Sequence, residues 1–225
     1  IFDNSQIIHS YRFNYSDIKN FQRTVSNYPV EFIIVSSVVD TPIDFSFLNK
    51  EVIVFSHYSK LPIQNLYKTP NTLGLDRLAN ATGAWTMNKN KASLVIDCGT
   101  CIKYDIVSEH GVYLGGNIAP GLQMRFKSLN AFTDKLPLLT PNASLSETYG
   151  TDTESSLQCG VILGIEHEIN GFISRYKKEF NGLTIFMTGG DLKYFDKTDK
   201  RGIFANQNLT LIGLNEILKH NASLQ

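Results

Sequence analysis

Several common signatures are missing from this sequence of 225 residues. The formal net charge is zero, with 21 basic and 21 acidic residues, and the basic residues form no dense run. Because nucleic-acid backbones are bound by clustered positive charge, we expect no nucleic-acid partner. No apolar stretch approaches the roughly 20 residues that a membrane-spanning helix needs, so we expect no membrane partner either.

Cysteine is also scarce, with three residues. An odd number argues against a disulfide framework and favours a reducing compartment, so we expect a cytoplasmic protein. Cys98 and Cys101 form a C-x-x-C pair. A structural zinc site needs four ligands and the sequence has no second such pair, while a redox pair normally lies at the start of a helix. We therefore interpret this spacing as coincidental.

The most informative stretch that is present is Ser93–Asp105, S-L-V-I-D-C-G-T-C-I-K-Y-D. A short apolar run predicts a buried strand, which ends in Asp97. Gly99 lets the backbone turn tightly, and the Thr100 hydroxyl and the turn amides can face phosphate oxygens. Asp97 can hold a cation that binds phosphate. The pattern predicts a phosphate-binding turn beside a metal-positioning carboxylate, and the alternative is an ordinary β-turn with a polar cluster.

A second group of polar residues, Gly74-Leu75-Asp76-Arg77, lies where a loop enters a predicted helix. One interpretation is a helix cap with a neighbouring ion pair. The other is an acid that accepts a hydroxyl proton beside an arginine that orients an anionic or carbonyl-bearing substrate. Tyr67 lies nine residues before Asp76. It is a wall of the same pocket in the second interpretation and an ordinary surface tyrosine in the first.

The pattern of predicted elements indicates two related halves. The segment from Ile1 superposes on the segment from Ile106 at an offset of 105 residues, which predicts an internal duplication. The first copy would lack a counterpart of Ser93–Asp105, so we expect the sequence to begin after a first phosphate-binding turn. The polar run Asn88–Lys91 predicts a boundary between domains 1–90 and 91–225.

Hydrophobic periodicity predicts the individual elements. Helices are predicted near 18–28, 75–85, 122–131, 155–180 and 214–220, strands at 32–39, 52–55, 93–97, 101–107, 112–114 and 183–187, and loops at 115–121 and 133–153. Antiparallel strands followed by helix–strand crossovers are typical of an α/β protein. We predict two ribonuclease-H-like domains of the actin and acetate-and-sugar-kinase architecture, the first lacking its opening strand.

Several separated segments resemble the type III pantothenate kinases, bacterial enzymes that start coenzyme A synthesis. In chain order these segments are Tyr67-x-x-Pro70-x-x-x-Gly74-Leu75-Asp76-Arg77, Asp97-x-Gly99-Thr100 with Asp105, Gly115-Gly116-x-Ile118-x-Pro120-Gly121, Gly150-x-x-Thr153 with Gln158-x-Gly160, and Thr188-Gly189-Gly190. They span over half of the chain, in the order in which the family has them.

The resemblance implies a role for each matched residue. Asp76 would be the base that takes the proton from the primary hydroxyl of pantothenate, and Asp97 would contribute to a site for potassium or ammonium. The residues implied to hold pantothenate are Tyr67, Gly74, Arg77, Ile118 and Thr153. The residues implied to contact ATP are Gly99, Thr100, Gly189 and Gly190. Magnesium would bridge the phosphates, and the family works as a homodimer with its substrate pocket at the interface.

The sequence departs from the family pattern at two places. The family's first phosphate motif, Asp-x-Gly-Asn-Thr, does not occur in it, and the second motif continues with Cys101 and Lys103 where Ala and Thr are usual. Lys103 either adds positive charge near the phosphates or pairs with Asp105, and we predict the pair. Two alternatives to pantothenate kinase activity stay open, namely a kinase for another small hydroxyl substrate and a catalytically silent regulatory or binding relative.

Overall fold

The computed structural model describes residues 1–37, 44–45, 47, 50, 52–195 and 202–222. The strands in these ranges are β1 (Phe2–Asp3), β2 (Gln6–Ile7), β3 (Ile33–Val35), β4 (Val52–Val54), β5 (Gln64–Asn65), β6 (Ser93–Cys98), β7 (Cys101–Val107), β8 (Val112–Pro120), β9 (Thr184–Thr188) and β10 (Ile203–Ala205). The α-helices are α1 (Ile18–Ser26), α2 (Leu75–Met87), α3 (Leu122–Ala131), α4 (Thr153–Glu179) and α5 (Leu209–Ala222). Among the described helices, none is long and apolar enough to cross a membrane.

A mixed sheet of six strands organises the molecule, in the order β10-β9-β6-β7-β8-β5. Neighbours within β6-β7-β8 are antiparallel, whereas β9 is parallel to β6 and β10 is parallel to β9. Three antiparallel strands followed by helix-linked parallel strands is the arrangement predicted for the second half of the chain. The predicted α/β class is confirmed.

The strand period of two sends alternate side chains of the sheet to different helices. On β7, Ile102 and Tyr104 are buried in the core that also contains residues of α3 and α4, including Phe126 and Ile165. The side chains between them, Lys103 and Asp105, contact α2 instead. The second face of the sheet, covered by α2, therefore carries the polar groups.

The start of α4 is fixed by a capping box. The Asp152 carboxylate accepts a hydrogen bond from the Ser155 backbone N–H at 2.8 Å, and the Ser155 hydroxyl oxygen accepts one from the Asp152 N–H. These bonds satisfy backbone groups that would otherwise lack partners in the first turn. The helix begins two residues before the predicted start and ends at Glu179, one residue before the predicted end.

The structure corrects the prediction that residues 115–121 form a loop. β8 continues through this glycine-rich segment to Pro120 and pairs with β7 along most of its length. At Gly116, a Cβ atom would collide with the Tyr104 carbonyl and lie 2.7 Å from Asp105 Oδ1. Glycine therefore permits close strand pairing here instead of ending the strand.

The structure also corrects the predicted start of the last helix. α5 begins at Leu209 and runs without a break through Gly213, so residues 209–212 belong to it. The reason is close packing of α5 against α2. A Cβ atom on Gly213 would overlap the Ala79 carbonyl, and one on Gly83 would lie 2.6 Å from the Leu209 carbonyl oxygen.

The first half of the chain contributes two small sheets. β1 and β2 form an antiparallel hairpin, and β3 and β4 pair in parallel. Of the strand predicted at 32–39, the structure assigns 33–35, while positions 38 and 39 lie outside the described residues. Elements on the two sides of the proposed boundary contact one another, since α5 packs on α2 and β5 pairs with β8. The division at residues 90 and 91 stays a prediction.

Candidate active site

One row of aligned residues crosses four strands on the face that α2 covers. Thr188 of β9 is opposite Asp97 of β6, Asp97 is opposite Lys103 of β7, and Lys103 is opposite Ile118 of β8. We call these four residues the central row. It lies at the carboxyl ends of the parallel strands β6 and β9, the edge at which open α/β sheets commonly bind ligands.

Lys103 joins the central row to the start of α2. Its Nζ lies 2.8 Å from Asp97 Oδ2 and 2.5 Å from Asp76 Oδ2. Burial lowers the pKa of Lys103, but the charge of Asp97 and the hydrogen bonds to both carboxylates outweigh burial, so the net shift is upward. The side chain is therefore held as an ammonium between two carboxylates.

The predicted pairing of Lys103 with Asp105 is wrong. The residue directly opposite in an antiparallel pair has its Cβ about 4.5–5.5 Å away. That neighbour of Lys103 is Asp97, because the turn between β6 and β7 sets the register. Asp105 is already engaged by Arg77, whose Nη2 lies 2.7 Å from Asp105 Oδ1.

Arg77 and Asp105 form the buried counterpart of this arrangement. Asp105 Oδ1 accepts hydrogen bonds from Arg77 Nε at 2.9 Å, Arg77 Nη2 at 2.7 Å and the Tyr113 hydroxyl at 2.7 Å. The Tyr67 ring lies beside the guanidinium, with its centroid 5.6 Å from Cζ. Burial lowers the pKa of Arg77, but the hydrogen bonds and charge of Asp105 outweigh it and raise the pKa above its ordinary value.

The Asp76 carboxylate is held at the first turn of α2. Its Oδ1 accepts a hydrogen bond from the Arg77 backbone N–H at 2.9 Å. This N–H lies in the first turn of the helix, where backbone donors have no partner within the helix. Gly74 precedes the helix, and a Cβ atom there would lie 2.6 Å from Asp76 Oδ1. The Asp76 and Arg77 side chains do not pair with each other, so a simple cap with a neighbouring ion pair does not describe this segment. The Asp76 side chain is 40% exposed, which leaves it accessible to a substrate.

The residues expected to contact ATP lie around the ends of β6 and β9. Gly189 has a φ of +101°, and a Cβ atom there would lie 2.6 Å from Asp97 Oδ1, so only glycine suits this position. Gly99 and Thr100 form the β6–β7 turn, in which the Gly99 N–H donates to the Cys101 carbonyl at 3.2 Å. Thr100 is exposed, and so is Gly190, around which space is open.

Asp76, Asp97 and Lys103 form what we call the Asp76 cluster. Two residues expected to hold pantothenate lie at its edge or apart from it. Ile118 ends the central row with 61% of its surface exposed, which is unusual for an isoleucine in a strand. Thr153 begins α4 and lines a separate groove of about 510 Å³. The groove is lined by Leu136, Gly150, Thr151, Asp152, Thr153, Ser156 and Leu157. The groove shares no residue with the Asp76 cluster.

Asn80 contacts the Asp76 cluster and is a residue that the motifs did not identify. It is fully buried, donates from Nδ2 to Asp97 Oδ2 at 3.3 Å, and accepts a hydrogen bond from the Thr210 hydroxyl at 2.7 Å. Asp97 is thereby linked through α2 to α5. Asn80 follows Asp76 by four residues, so the helical period already put both side chains on one face.

The C-x-x-C pair shows no disulfide, because Cys98 and Cys101 are both free. Burial raises the pKa of the Cys98 thiol to about 12, with the charges of Asp97 and Asp191 adding to the shift. A thiol with such a pKa forms little thiolate near neutral pH and is a poor nucleophile. Within the described residues, no group of three or more His, Cys, Asp or Glu side chains is placed to hold a metal ion.

Comparison with known proteins identifies the family. The sequence pattern of the type III pantothenate kinase family matches residues 11–175, a range that contains Asp76, Asp97 and Lys103. The chain belongs to the type III pantothenate kinase family. Members phosphorylate pantothenate in coenzyme A biosynthesis, so the chain is a kinase whose substrates are pantothenate and ATP.

Individual relatives agree with this assignment along almost the whole chain. A type III pantothenate kinase of Phocaeicola vulgatus is 40% identical over 228 residues, which cover 100% of this chain and 94% of the relative. A type III pantothenate kinase of Christiangramia forsetii is 42% identical over 226 residues, which cover 98% and 93%. The predicted family resemblance is confirmed.

A solved structure supports the fold independently. A Campylobacter jejuni protein described as a Baf family transcriptional activator superposes with a TM-score of 0.61 at 21% identity, covering 89% of this chain and 88% of that one. At this level of identity the likeness concerns the arrangement of strands and helices.

Proposed function

We propose that Asp76 is the catalytic base with which this kinase phosphorylates the primary hydroxyl of pantothenate. The hydroxyl oxygen attacks the γ-phosphorus of ATP, the bond from that phosphorus to the β–γ bridging oxygen breaks, ADP leaves, and the hydroxyl proton passes to Asp76. The observation that carries this proposal is the position of the Asp76 carboxylate. It is partly exposed and is fixed by the Arg77 N–H and by Lys103. Fixed geometry of this kind is what phosphoryl transfer chiefly requires.

We further propose that pantothenate lies along the Ile118 end of the central row. The exposed Ile118 side chain offers an apolar contact to pantothenate, and Tyr67 forms one wall of the pocket. Gly74 has no side chain, so pantothenate can approach the backbone there. The buried Arg77 holds that wall through its contact with the Tyr67 ring. We propose that ATP lies at the opposite end of the row, in contact with Gly99, Thr100, Gly189 and Gly190. Magnesium bound together with ATP would offset the negative charge of its phosphates.

Thr153 supports the proposal of a homodimer. It is implied to bind pantothenate, yet its groove is separate from the Asp76 cluster in one chain. A second subunit that brings Thr153 to the Asp76 site would resolve this separation. We also propose a cytoplasmic location, which the three free thiols support.

The cation site implied at Asp97 fits these residues poorly. The Lys103 ammonium lies 2.8 Å from Asp97 Oδ2, and Asn80 donates to the same oxygen. A potassium ion at this oxygen would meet a like charge at short range. No step of the proposed reaction is therefore assigned to a free monovalent cation.

The test of the base is pantothenate-dependent ADP formation by the Asp76→Asn variant. Loss of a general base costs about 10²- to 10⁴-fold in rate, so we expect kcat to fall by that factor with the fold intact by circular dichroism. Asp134→Asn, which removes a charge from an exposed loop residue, is the matched control and should retain full activity. Full activity of Asp76→Asn would overturn the assignment of the base.

The shared site is tested by mixing two inactive variants. If Asp76 and Thr153 act on one pantothenate from different subunits, Asp76→Asn and Thr153→Val chains should each be nearly inactive alone. Mixed dimers contain one site with both residues intact, so activity should return on mixing. A mixture that forms dimers and stays inactive would contradict a site shared in this way.

A further inference from the structure

The position of Lys103 carries an inference that rests on the proposed function. Among the described residues, its ammonium group forms the only salt bridges of Asp76 and Asp97. The Lys103 side chain is 16% exposed and that of Asp97 is 13% exposed, so little water screens this pair. Two carboxylates and one ammonium therefore form a compact triad beneath the start of α2.

The triad places a single positive charge between two carboxylates, as a bound monovalent cation would. The nitrogen lies 2.8 Å from one carboxylate and 2.5 Å from the other, and each carboxylate comes from a different element, β6 or α2. An ammonium group carries one positive charge and donates hydrogen bonds to oxygen acceptors, as a free ammonium ion does. The difference is that this one is covalently attached to β7.

We propose that Lys103 is a built-in monovalent cation, which replaces a free potassium or ammonium ion at Asp97 and makes this kinase independent of both. The ion implied at this site would join Asp97 to the phosphate-binding region. The lysine instead joins Asp97 to Asp76, so it couples the carboxylate on the ATP side to the carboxylate on the pantothenate side. Lys103 acts here as a positioning residue for both.

Tethering explains why such a replacement would function without a free ion. A side chain attached to a paired strand is present at the site at any ion concentration, whereas a free ion must bind from solution. The upward shift of the Lys103 pKa, which the two carboxylates cause against the effect of burial, keeps the group charged at neutral pH. A bound potassium ion would compete with this fixed charge for the same Asp97 oxygen.

The experiment compares the full chain with Lys103→Thr and Lys103→Met in choline chloride, potassium chloride and ammonium chloride at equal ionic strength. Threonine opens the site, while methionine fills the space of the lysine stem without its charge. Apart from the salt under test, magnesium is the only metal added, and ATP and pantothenate are supplied as Tris salts. Lys127→Met, which removes an exposed lysine of α3, is the matched control and should match the unmodified chain in every salt.

For the unmodified chain, we expect ADP formation to change by less than about twofold between salts. For Lys103→Thr, kcat should fall by about tenfold or more in choline chloride, because two close carboxylates are left without a counter-charge, and should recover in potassium or ammonium chloride. Lys103→Met should stay slow in all three salts. Potassium-dependent turnover of the unmodified chain would overturn the proposal. A lysine that only contacts ATP would give a higher KM for ATP in Lys103→Thr with no rescue by either ion, which would also overturn it.

A thermal readout separates this inference from the proposed reaction. An ion that binds only the folded state raises the melting temperature with its concentration. Lys103→Thr should therefore melt higher in potassium or ammonium chloride than in choline chloride, whereas the unmodified chain should show no such difference. This result would stand if the chain had no activity on pantothenate. Equal melting temperatures of folded Lys103→Thr in all salts would overturn the inference.

Discussion

Two ion-pair clusters lie on the same face of the sheet. Each contains one of two neighbouring residues of α2, Asp76 or Arg77. Arg77 meets Asp105 with side chains only 4% and 1% exposed, whereas Asp76 meets Lys103 with side chains 40% and 16% exposed. One residue along an α-helix is a rotation of about 100°, so Asp76 and Arg77 point into different surroundings. The buried pair fixes the position of α2, and the partly exposed pair remains available to a substrate.

Breaking the buried pair should have the largest effect on stability. Arg77→Met leaves the Asp105 carboxylate buried without its counter-charge, which costs about 3–5 kcal/mol of the free energy of unfolding. Urea denaturation measures this change. A double variant that also replaces Asp105 by leucine should regain much of the loss, because the unpaired charge is then gone. A cost below about 1 kcal/mol for the single variant would show that the two clusters do not differ as described.

Disturbing the packing of α2 against α5 should have the next largest effect on stability, because both clusters depend on the position of α2. Gly213→Ala places a methyl group against the Ala79 carbonyl and forces α5 away from α2, at about 1–3 kcal/mol. Gly164→Ala is the control, since Gly164 lies in α4 with open space around its Cβ position. That change should stabilise by about 0.5–1 kcal/mol. Urea denaturation of both variants checks the contrast, which fails if they shift in the same direction.

The smallest effect should be the pH dependence of the Asp76 cluster. The folded-state pKa of Lys103 lies above its ordinary value of 10.5. Its contribution, about 1 kcal/mol for a partly exposed pair, is therefore fully present below pH 10.5 and is lost as the pH rises through the folded-state pKa. The difference in urea midpoint between the unmodified chain and Lys103→Met should stay constant up to pH 10.5 and shrink above it. Shrinkage that begins at neutral pH would contradict the upward shift.

The sequence predicted the parts of the fold that local patterns determine. The apolar spacing gave α3 its observed bounds, Leu122–Ala131, and gave α2 its observed start at Leu75. Glycine misled the prediction at Gly116 and Gly213, because its effect there depends on the backbone that approaches from another element. Only the tertiary structure reveals that approach.

The candidate site was predicted in composition but not in pairing. The motifs gave Asp76, Asp97 and Lys103, yet the partner of Lys103 depends on the register of the β6–β7 hairpin. Three residues, Gly99–Cys101, lie between the paired positions Cys98 and Ile102, which puts Asp97 opposite Lys103. A shift of one residue would have sent Lys103 to the other face of the sheet relative to Asp97. The motif gave the residues of this turn but not its conformation, so it did not predict the register.

The packing of α5 on α2 also has a consequence during synthesis. The residues of α2 that hold the site, among them Asn80, are covered by a helix that the ribosome makes 121 residues later. At about 5–20 residues per second, α2 therefore waits roughly 6 to 24 s for its partner. The Asn215 side chain donates to the Asn4 carbonyl at 2.7 Å, so the β1–β2 hairpin also gains this contact only after α5 has been made. The Thr210 hydroxyl cannot donate to Asn80 until α5 has emerged from the ribosome, so α2 acquires this support of Asp97 only after α5 is made.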